Sequence, residues 1–222
     1  MAAIAALDDD VRGALYACVR GADEPVTRES AAQAVGISRK LAAFHLDKLV
    51  DAGLLEAGTG PRTGPRVGRA PKVYSPARET VAVCVPPRDL GLLARVLLDA
   101  LVSRSTAESG TAAAARVAAE HGRQRGADER DRLRPGRLGA ERAVTITSRL
   151  LAEQGFEPHR AAETVRLRNC PFHPLAAEHP DVVCGLNRAF VQGLLTGLQA
   201  EHAVEPVLAP RPGECCVELR PR

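Results

Sequence analysis

Four of the six cysteines, Cys170, Cys184, Cys215 and Cys216, fall in the last quarter of the chain. Thirteen residues separate Cys170 from Cys184, and thirty separate Cys184 from Cys215. Thiolates are soft ligands suited to zinc or to iron–sulfur clusters. The spacing matches no tight Cys-x-x-Cys zinc ribbon, so the fold would have to bring such ligands together. His173, in the turn Cys170-Pro171-Phe172-His173-Pro174, adds a candidate ligand. Adjacent cysteines on a strand point to opposite faces, so only one of Cys215 and Cys216, by preference Cys215, is expected to face a common site. The alternative for all four is inert thiols in an α/β core. Cys18 and Cys84 fall at core positions of a predicted helix and strand and read as structural.

A second group of residues could bind a polyanion. The formal charge is only +3, but all three lysines, Lys40, Lys48 and Lys72, lie near the N-terminus. Between Ala57 and Arg78 stand Arg62, Arg66, Arg69, Lys72 and Arg78 with no Asp or Glu, a local excess of the kind phosphate contact requires.

These groups need elements to position them. A helix is predicted over residues 8–20, with Val11, Leu15, Cys18 and Val19 on its apolar stripe. Thr27 is placed to cap a short helix reaching Ala34, and Gly36 supplies the positive φ of a sharp turn. Ser38 then caps a second helix running to about Ala52, closed by Gly53. Strands over residues 54–56 and 72–75 form a hairpin whose long tip is basic. On the second helix Ala42, Leu46, Leu49 and Gly53 recur at helical spacing on the buried side, leaving Arg39, Lys40, Ala43, Phe44 and Asp47 opposite. Such a helix enters the major groove of duplex DNA, N-terminal residues nearest the bases. Arg39 and Lys40 are then the base readers, Arg preferring guanine, while Ser38 donates to a phosphate. Lys48 reaches the backbone, and Phe44 either touches a thymine methyl or packs under the first helix. His45 reads as a partly buried helix residue.

The remainder alternates differently. Val81–Val85 is a possible third strand, and Pro86-Pro87 ends the domain. An apolar helix follows over residues 88–103, with further helices over 111–125 and 141–154. The charged, Gly/Pro-punctuated stretch 126–139 between them is expected to be a mobile loop. A strand over 163–168, a helix over 181–200 and strands over 203–208 and 215–219 complete the pattern. The fold class is α+β: an N-terminal winged helix-turn-helix (residues 1–85), a long linking and dimerisation helix (86–106) and a C-terminal α/β sensor domain (107–222).

The segment Gly36-Ile-Ser-Arg-Lys-Leu-Ala-Ala-Phe-His-Leu-Asp-Lys-Leu-Val-Asp-Ala-Gly-Leu-Leu55 resembles the helix-turn-helix of arsenic-repressor-like (ArsR) regulators. Gly68-Arg-Ala-Pro-Lys-Val-Tyr74 resembles their wing. The likeness covers residues 8 to 80. It implies homodimers on inverted-repeat operators, with Arg62, Arg66, Arg69 and Lys72 near the minor groove or backbone. Asn169-Cys170-Pro171, Cys184 and Cys215 or Cys216 further resemble the sensor half of the iron–sulfur-sensing Suf repressors. Phe172-His173 and the cysteine doublet depart from that pattern.

Composition bounds the rest. Hydrophobic residues make up 45% of the chain and aromatics 3%, so the cores must be built from Leu, Val and Ala. No run has the length of a membrane span and the N-terminus lacks the basic region of a secretory signal. A cytoplasmic location is therefore expected, where cysteines stay reduced or bind metal. No phosphate loop or other catalytic motif is present, and Pro171 and Pro174 suit a rigid turn better than a Cys170–His173 dyad, so no enzymatic activity is expected. The leading expectation is a DNA-binding repressor that senses a thiolate-bound metal centre, iron–sulfur or zinc. The alternative is a small-molecule effector in an apolar pocket lined by Leu194, Leu195 and Leu198.

Overall fold

The computed structural model describes residues 2–61, 70–78 and 80–222. The chain divides into two compact units, Met1–Val83 and Cys84–Arg222.

The first unit runs α1 (Ala2–Leu7), α2 (Asp10–Arg20), β1 (Val26–Thr27), α3 (Arg28–Val35), α4 (Arg39–Asp51), β2 (Leu55–Thr59) and β3 (Lys72–Pro76). Its helix starts are set locally. The side chains of Asp9, Thr27 and Ser38 accept the backbone N–H groups of Arg12, Ser30 and Leu41, satisfying donors that a helix N-terminus leaves open. Gly36 stops α3 at φ 74°, and Gly53, at φ 72°, follows Ala52 at the end of α4. Leu15 and Val19 of α2 meet Ala31 and Ala32 of α3 and Ala42, Leu46 and Leu49 of α4 in one core, closed by Leu54 and Tyr74. Each large aliphatic chain so buried contributes about 1.5–3 kcal/mol. The sheet has the order β1-β3-β2, all antiparallel.

The third strand is thus β1, not Val81–Val85. Residues 81–85 form no strand, and Val81, Val83, Cys84 and Val85 are exposed. Cys84 is therefore not a core residue, and Cys18 is only half-buried.

The second unit runs α5 (Leu90–Ser103), α6 (Gly110–Leu133), α7 (Ala140–Glu153), β4 (Pro158–Ala161), β5 (Thr164–Leu167), α8 (Leu175–Glu178), α9 (Pro180–Leu198), β6 (Val204–Leu208) and β7 (Val217–Pro221). Its sheet is antiparallel throughout, in the order β4-β5-β7-β6. Val165, Leu167, Val204, Val217 and Leu219 of the sheet share a core with α7 and α9. α5, the expected linking helix, has 14 residues and packs on α6, the longest helix at 24.

α6 runs straight through residues 126–133, where a mobile loop was expected. Glycine disfavours a helix interior by about 1 kcal/mol, but here tertiary packing repays it. A Cβ on Gly122 would overlap the carbonyl oxygen of Phe190, and one on Gly126 that of Leu194. Reciprocally, a Cβ on Gly193 or Gly197 of α9 would overlap the carbonyl of Ala119 or Arg123. Residues four apart share a helix face, so two glycine pairs let α6 and α9 meet backbone to backbone. Leu194, Leu195 and Leu198 are fully buried in this core. They fill space and do not line the effector pocket that the alternative reading required.

α5 buries Leu92, Leu93, Val96 and Ala100. Its other face leaves Leu97, Leu98, Leu101 and Val102 exposed, Leu101 at 69% and Val102 at 86%.

Candidate DNA-binding face and thiol cluster

In the first unit the exposed side of α4 begins with Ser38, Arg39 and Lys40. The Ser38 oxygen accepts the Leu41 N–H at 3.2 Å, which leaves its hydroxyl hydrogen available to a phosphate. Arg39 Nε lies 3.2 Å from Glu29 Oε2, and both side chains are exposed. Such a pair is worth about 0–1 kcal/mol and yields readily to a base edge. Phe44 is 56% exposed with its ring edge on His45, so it does not pack under the first helix. His45 is buried, as its expected partial burial foreshadowed, and its Nδ1 has no partner among the described residues. Lys48 Nζ is 3.7 Å from Asp51, also exposed.

Lys72 has a role the sequence reading missed. Its Nζ lies 2.6 Å from Asp47 Oδ1 and 5.2 Å from the centre of the Tyr74 ring. The Tyr74 hydroxyl donates to the same oxygen at 2.9 Å. Lys72 is thus engaged in a brace between β3 and α4, with both side chains of the ion pair still exposed. Partial burial would raise the Asp47 carboxyl, but the hydrogen bonds from Lys72 and Tyr74 outweigh it and hold it below its usual range. The same contact raises Lys72, and burial followed by Asp47 raises Tyr74. Arg62, Arg66 and Arg69 lie outside the described residues.

In the second unit a cavity of about 530 Å³ is lined by Cys170, Cys184, Cys215, Cys216 and His173. Cys170 lies in the turn after β5, Cys184 in the first turns of α9, and Cys215 and Cys216 in the bend before β7. The doublet was expected on a strand with one member turned away. It precedes the strand, so the two-residue alternation does not apply, and both thiols line the cavity. The turn carrying Cys170 is clamped. Arg88 donates to the Asn169 side-chain oxygen and, at 3.4 Å, to the Cys170 carbonyl, while Asn169 Nδ2 donates to the Pro87 carbonyl at 2.8 Å. Cys215 N–H donates to the Leu167 carbonyl at 2.8 Å.

Neighbouring sulfurs act on one another's protons: Cys215 influences Cys170 and Cys216, and Cys184 influences Cys216. The fully buried Asn187 places Nδ2 3.6 Å from Cys170 Sγ and 3.8 Å from Cys215 Sγ. Its Oδ1 is buried without a partner among the described residues. The Cys215 thiol, helped by the Phe172 N–H, the Asn187 amide and Arg88, brings Cys170 down to about 6 against the pull of burial. Cys216, beside Cys215 and Cys184, falls to about 7 against the pull of burial. Burial, then the neighbouring Cys216, pushes Cys184 up to about 12, and the neighbours Cys170 and Cys216 together with burial raise Cys215. The cavity wall therefore alternates between thiolate-prone and proton-holding sulfurs. Among the described residues no three His, Cys, Asp or Glu side chains are grouped to hold a single metal ion; the four sulfurs share a cavity, not a point.

Asn187 could have been found from sequence as the one amide on the apolar stripe Val183, Leu186, Phe190, Val191, Leu194 of α9. Arg88 and Asn169 carry no such signal, because their partners are distant in the chain.

No helix among the described residues is long and apolar enough to cross a membrane. No curated protein and no solved structure matches the chain. A family profile described as a helix-turn-helix domain matches residues 7–57, which takes in α2, α3 and α4 and does not reach the thiol-bearing unit. With the hairpin β2–β3 behind a capped, cationic α4, the first unit is the winged helix-turn-helix of a DNA-binding transcriptional regulator.

Proposed function

We propose that this regulator is a homodimeric repressor whose second unit holds a thiolate-bound metal centre, an iron–sulfur cluster before zinc. The observation that carries this reading is the shared cavity: Cys170, Cys184, Cys215 and Cys216 arrive from three separate segments and line one wall. The donor set fits a cluster in kind. It is all sulfur, two members are thiolate-prone, and the Asn187 amide is placed to donate to sulfur, the type of contact that tunes cluster potentials. His173 is the remaining donor on the same wall. When bound, such a group supplies sensitivity to oxygen, redox state or iron supply.

The chain's own residues supply the relay. Cys184 and Asn187 ride on α9, α9 is locked to α6, and α5 packs on α6. The exposed leucine face of α5 supports pairing with a second copy, which would set the separation of two α4 helices against half-sites about one DNA turn apart on an inverted repeat. The test is anaerobic purification followed by a visible spectrum and assays for iron, sulfide and zinc, with Cys170→Ser and Cys184→Ser beside the parent. Charge-transfer absorption lost in both variants is expected; parent protein that holds none of the three elements sinks the metal reading.

A further inference from the structure

We propose that Cys170 and Cys215 are a redox pair that closes into a disulfide when the cavity is empty and a hydroperoxide is present. The pairing is argued from the amide that both sulfurs share; its regulatory meaning rests on the metal reading above. One amide selects the pair. Asn187 Nδ2 touches both sulfurs, at 3.6 and 3.8 Å, and so holds together two residues that the chain separates widely. Cys215 lies beside Cys216 as well, but those neighbours share one short bend, and the amide bridges Cys170 and Cys215 instead. The backbone on each side is tied down, Cys215 through the Leu167 carbonyl and Cys170 through the His173 N–H and Arg88.

The step balances without a cofactor. The Cys170 sulfur attacks the peroxide O–O bond, takes the distal oxygen to become a sulfenic acid, and releases an alcohol or water. The Cys215 thiol then displaces hydroxide from that sulfenic sulfur, and its proton completes a second water. Two thiols lose two electrons in all, and the hydroperoxide gains them. The disulfide removes two of the four sulfur donors, so an oxidised chain would be barred from reloading until reduced. Cys184 and Cys216 remain free thiols in that state.

The test uses the metal-free full chain treated with one equivalent of hydrogen peroxide, followed by free-thiol titration and peptide mapping. The expected result is a fall from the six free thiols of the untreated chain to four, with a Cys170–Cys215 peptide as the main crosslink. Asn187→Leu, which keeps the volume and removes the donor, should slow closure by about threefold to tenfold, the kinetic equivalent of one hydrogen bond. Cys215→Ser should stop it and leave Cys170 as sulfenic or sulfinic acid, which serves as the readout should the Asn187 variant misfold. A dominant Cys215–Cys216 or Cys184–Cys216 crosslink, or Cys170 unmodified after the other thiols oxidise, overturns the proposal. Metal content of the anaerobic parent is measured separately, so protein without metal that still forms the crosslink removes only the metal reading. Metal-loaded protein whose stripped form fails to crosslink removes only this one.

Discussion

The two units bury helices in opposite ways and expose opposite faces. In the first, α2, α3 and α4 meet through side chains, Leu15, Leu46 and Leu49 among them, and the outward side of α4 carries Arg39, Lys40 and Lys48 around one aromatic, Phe44. In the second, α6 and α9 meet through four glycines, and the outward side of α5 carries Leu97, Leu98, Leu101 and Val102. A side-chain interface tolerates change by repacking, whereas a backbone contact has nothing that can move aside. An exposed cationic face suits a hydrated polyanion; an exposed leucine face suits another apolar surface. One unit thus presents charge around an aromatic, and the other an apolar face, the one on which the proposed pairing with a second copy rests.

The sharpest way to break this contrast is in the cores. Gly126→Leu should cost the second unit more than about 3 kcal/mol, the usual upper range for overpacking, because the new side chain meets main chain. Leu46→Ala should cost the first unit about 2–5 kcal/mol through a cavity that neighbours can partly fill. Thermal unfolding of the full chain should show each variant lowering a different transition; a single shared shift would mean the units do not differ in this way. Next in size is the apolar face. Leu98→Glu with Leu101→Glu replaces contacts worth about 1.5–3 kcal/mol per leucine and should convert a dimer into a monomer by light scattering with the melting curve little changed. A dimer that survives would move the interface elsewhere.

The DNA face should respond more mildly and more selectively. Arg39→Ala should cost about 1–3 kcal/mol on the preferred operator and relax discrimination at one position, whereas Lys48→Ala should weaken all sequences alike and lower the salt slope by about one. Equal, sequence-independent losses from both would withdraw base reading from Arg39. The smallest effect concerns the brace. The folded Asp47 carboxyl lies below its unfolded value, so its contribution is complete above the ordinary carboxylate range, about pH 4, and disappears as pH falls through the lowered folded value. Lys72, raised by the same contact, keeps its part of the bond up to alkaline pH. Asp47→Asn should therefore flatten the acid limb of first-unit stability and leave it unchanged in shape between neutral and mildly alkaline pH, as read from tyrosine fluorescence, to which Tyr16 and Tyr74, both in the first unit, contribute.

What could be read from the sequence was what neighbouring residues decide. Thr27, Gly36 and Ser38 settle the helix-turn-helix within a few positions, and the stripe Ala42, Leu46, Leu49 orients α4. What could not be read depends on partners far along the chain. The helicity of Gly126 rests on α9, the duty of Lys72 rests on Asp47, and the third strand is a two-residue segment whose only qualification is its register with Tyr74 and Val73. The cysteines announced themselves by type. That Cys215 and Cys216 would both face one cavity was hidden, because it turns on where β7 begins, and a strand end shifted by two residues reverses the expectation.

The glycine contact also decides which half of the sulfur wall is free to shift. α9 cannot slide by one residue along α6 without driving a Cβ into main chain, so Cys184 and Asn187 stand on a fixed rail. Cys170 and Cys215 are held instead by single backbone hydrogen bonds, His173 N–H to the Cys170 carbonyl and Cys215 N–H to the Leu167 carbonyl. Opening or closing of the cavity should therefore break those bonds and leave the helix stationary, visible in hydrogen exchange as amides at His173 and Cys215 that exchange faster than those along the buried face of α9.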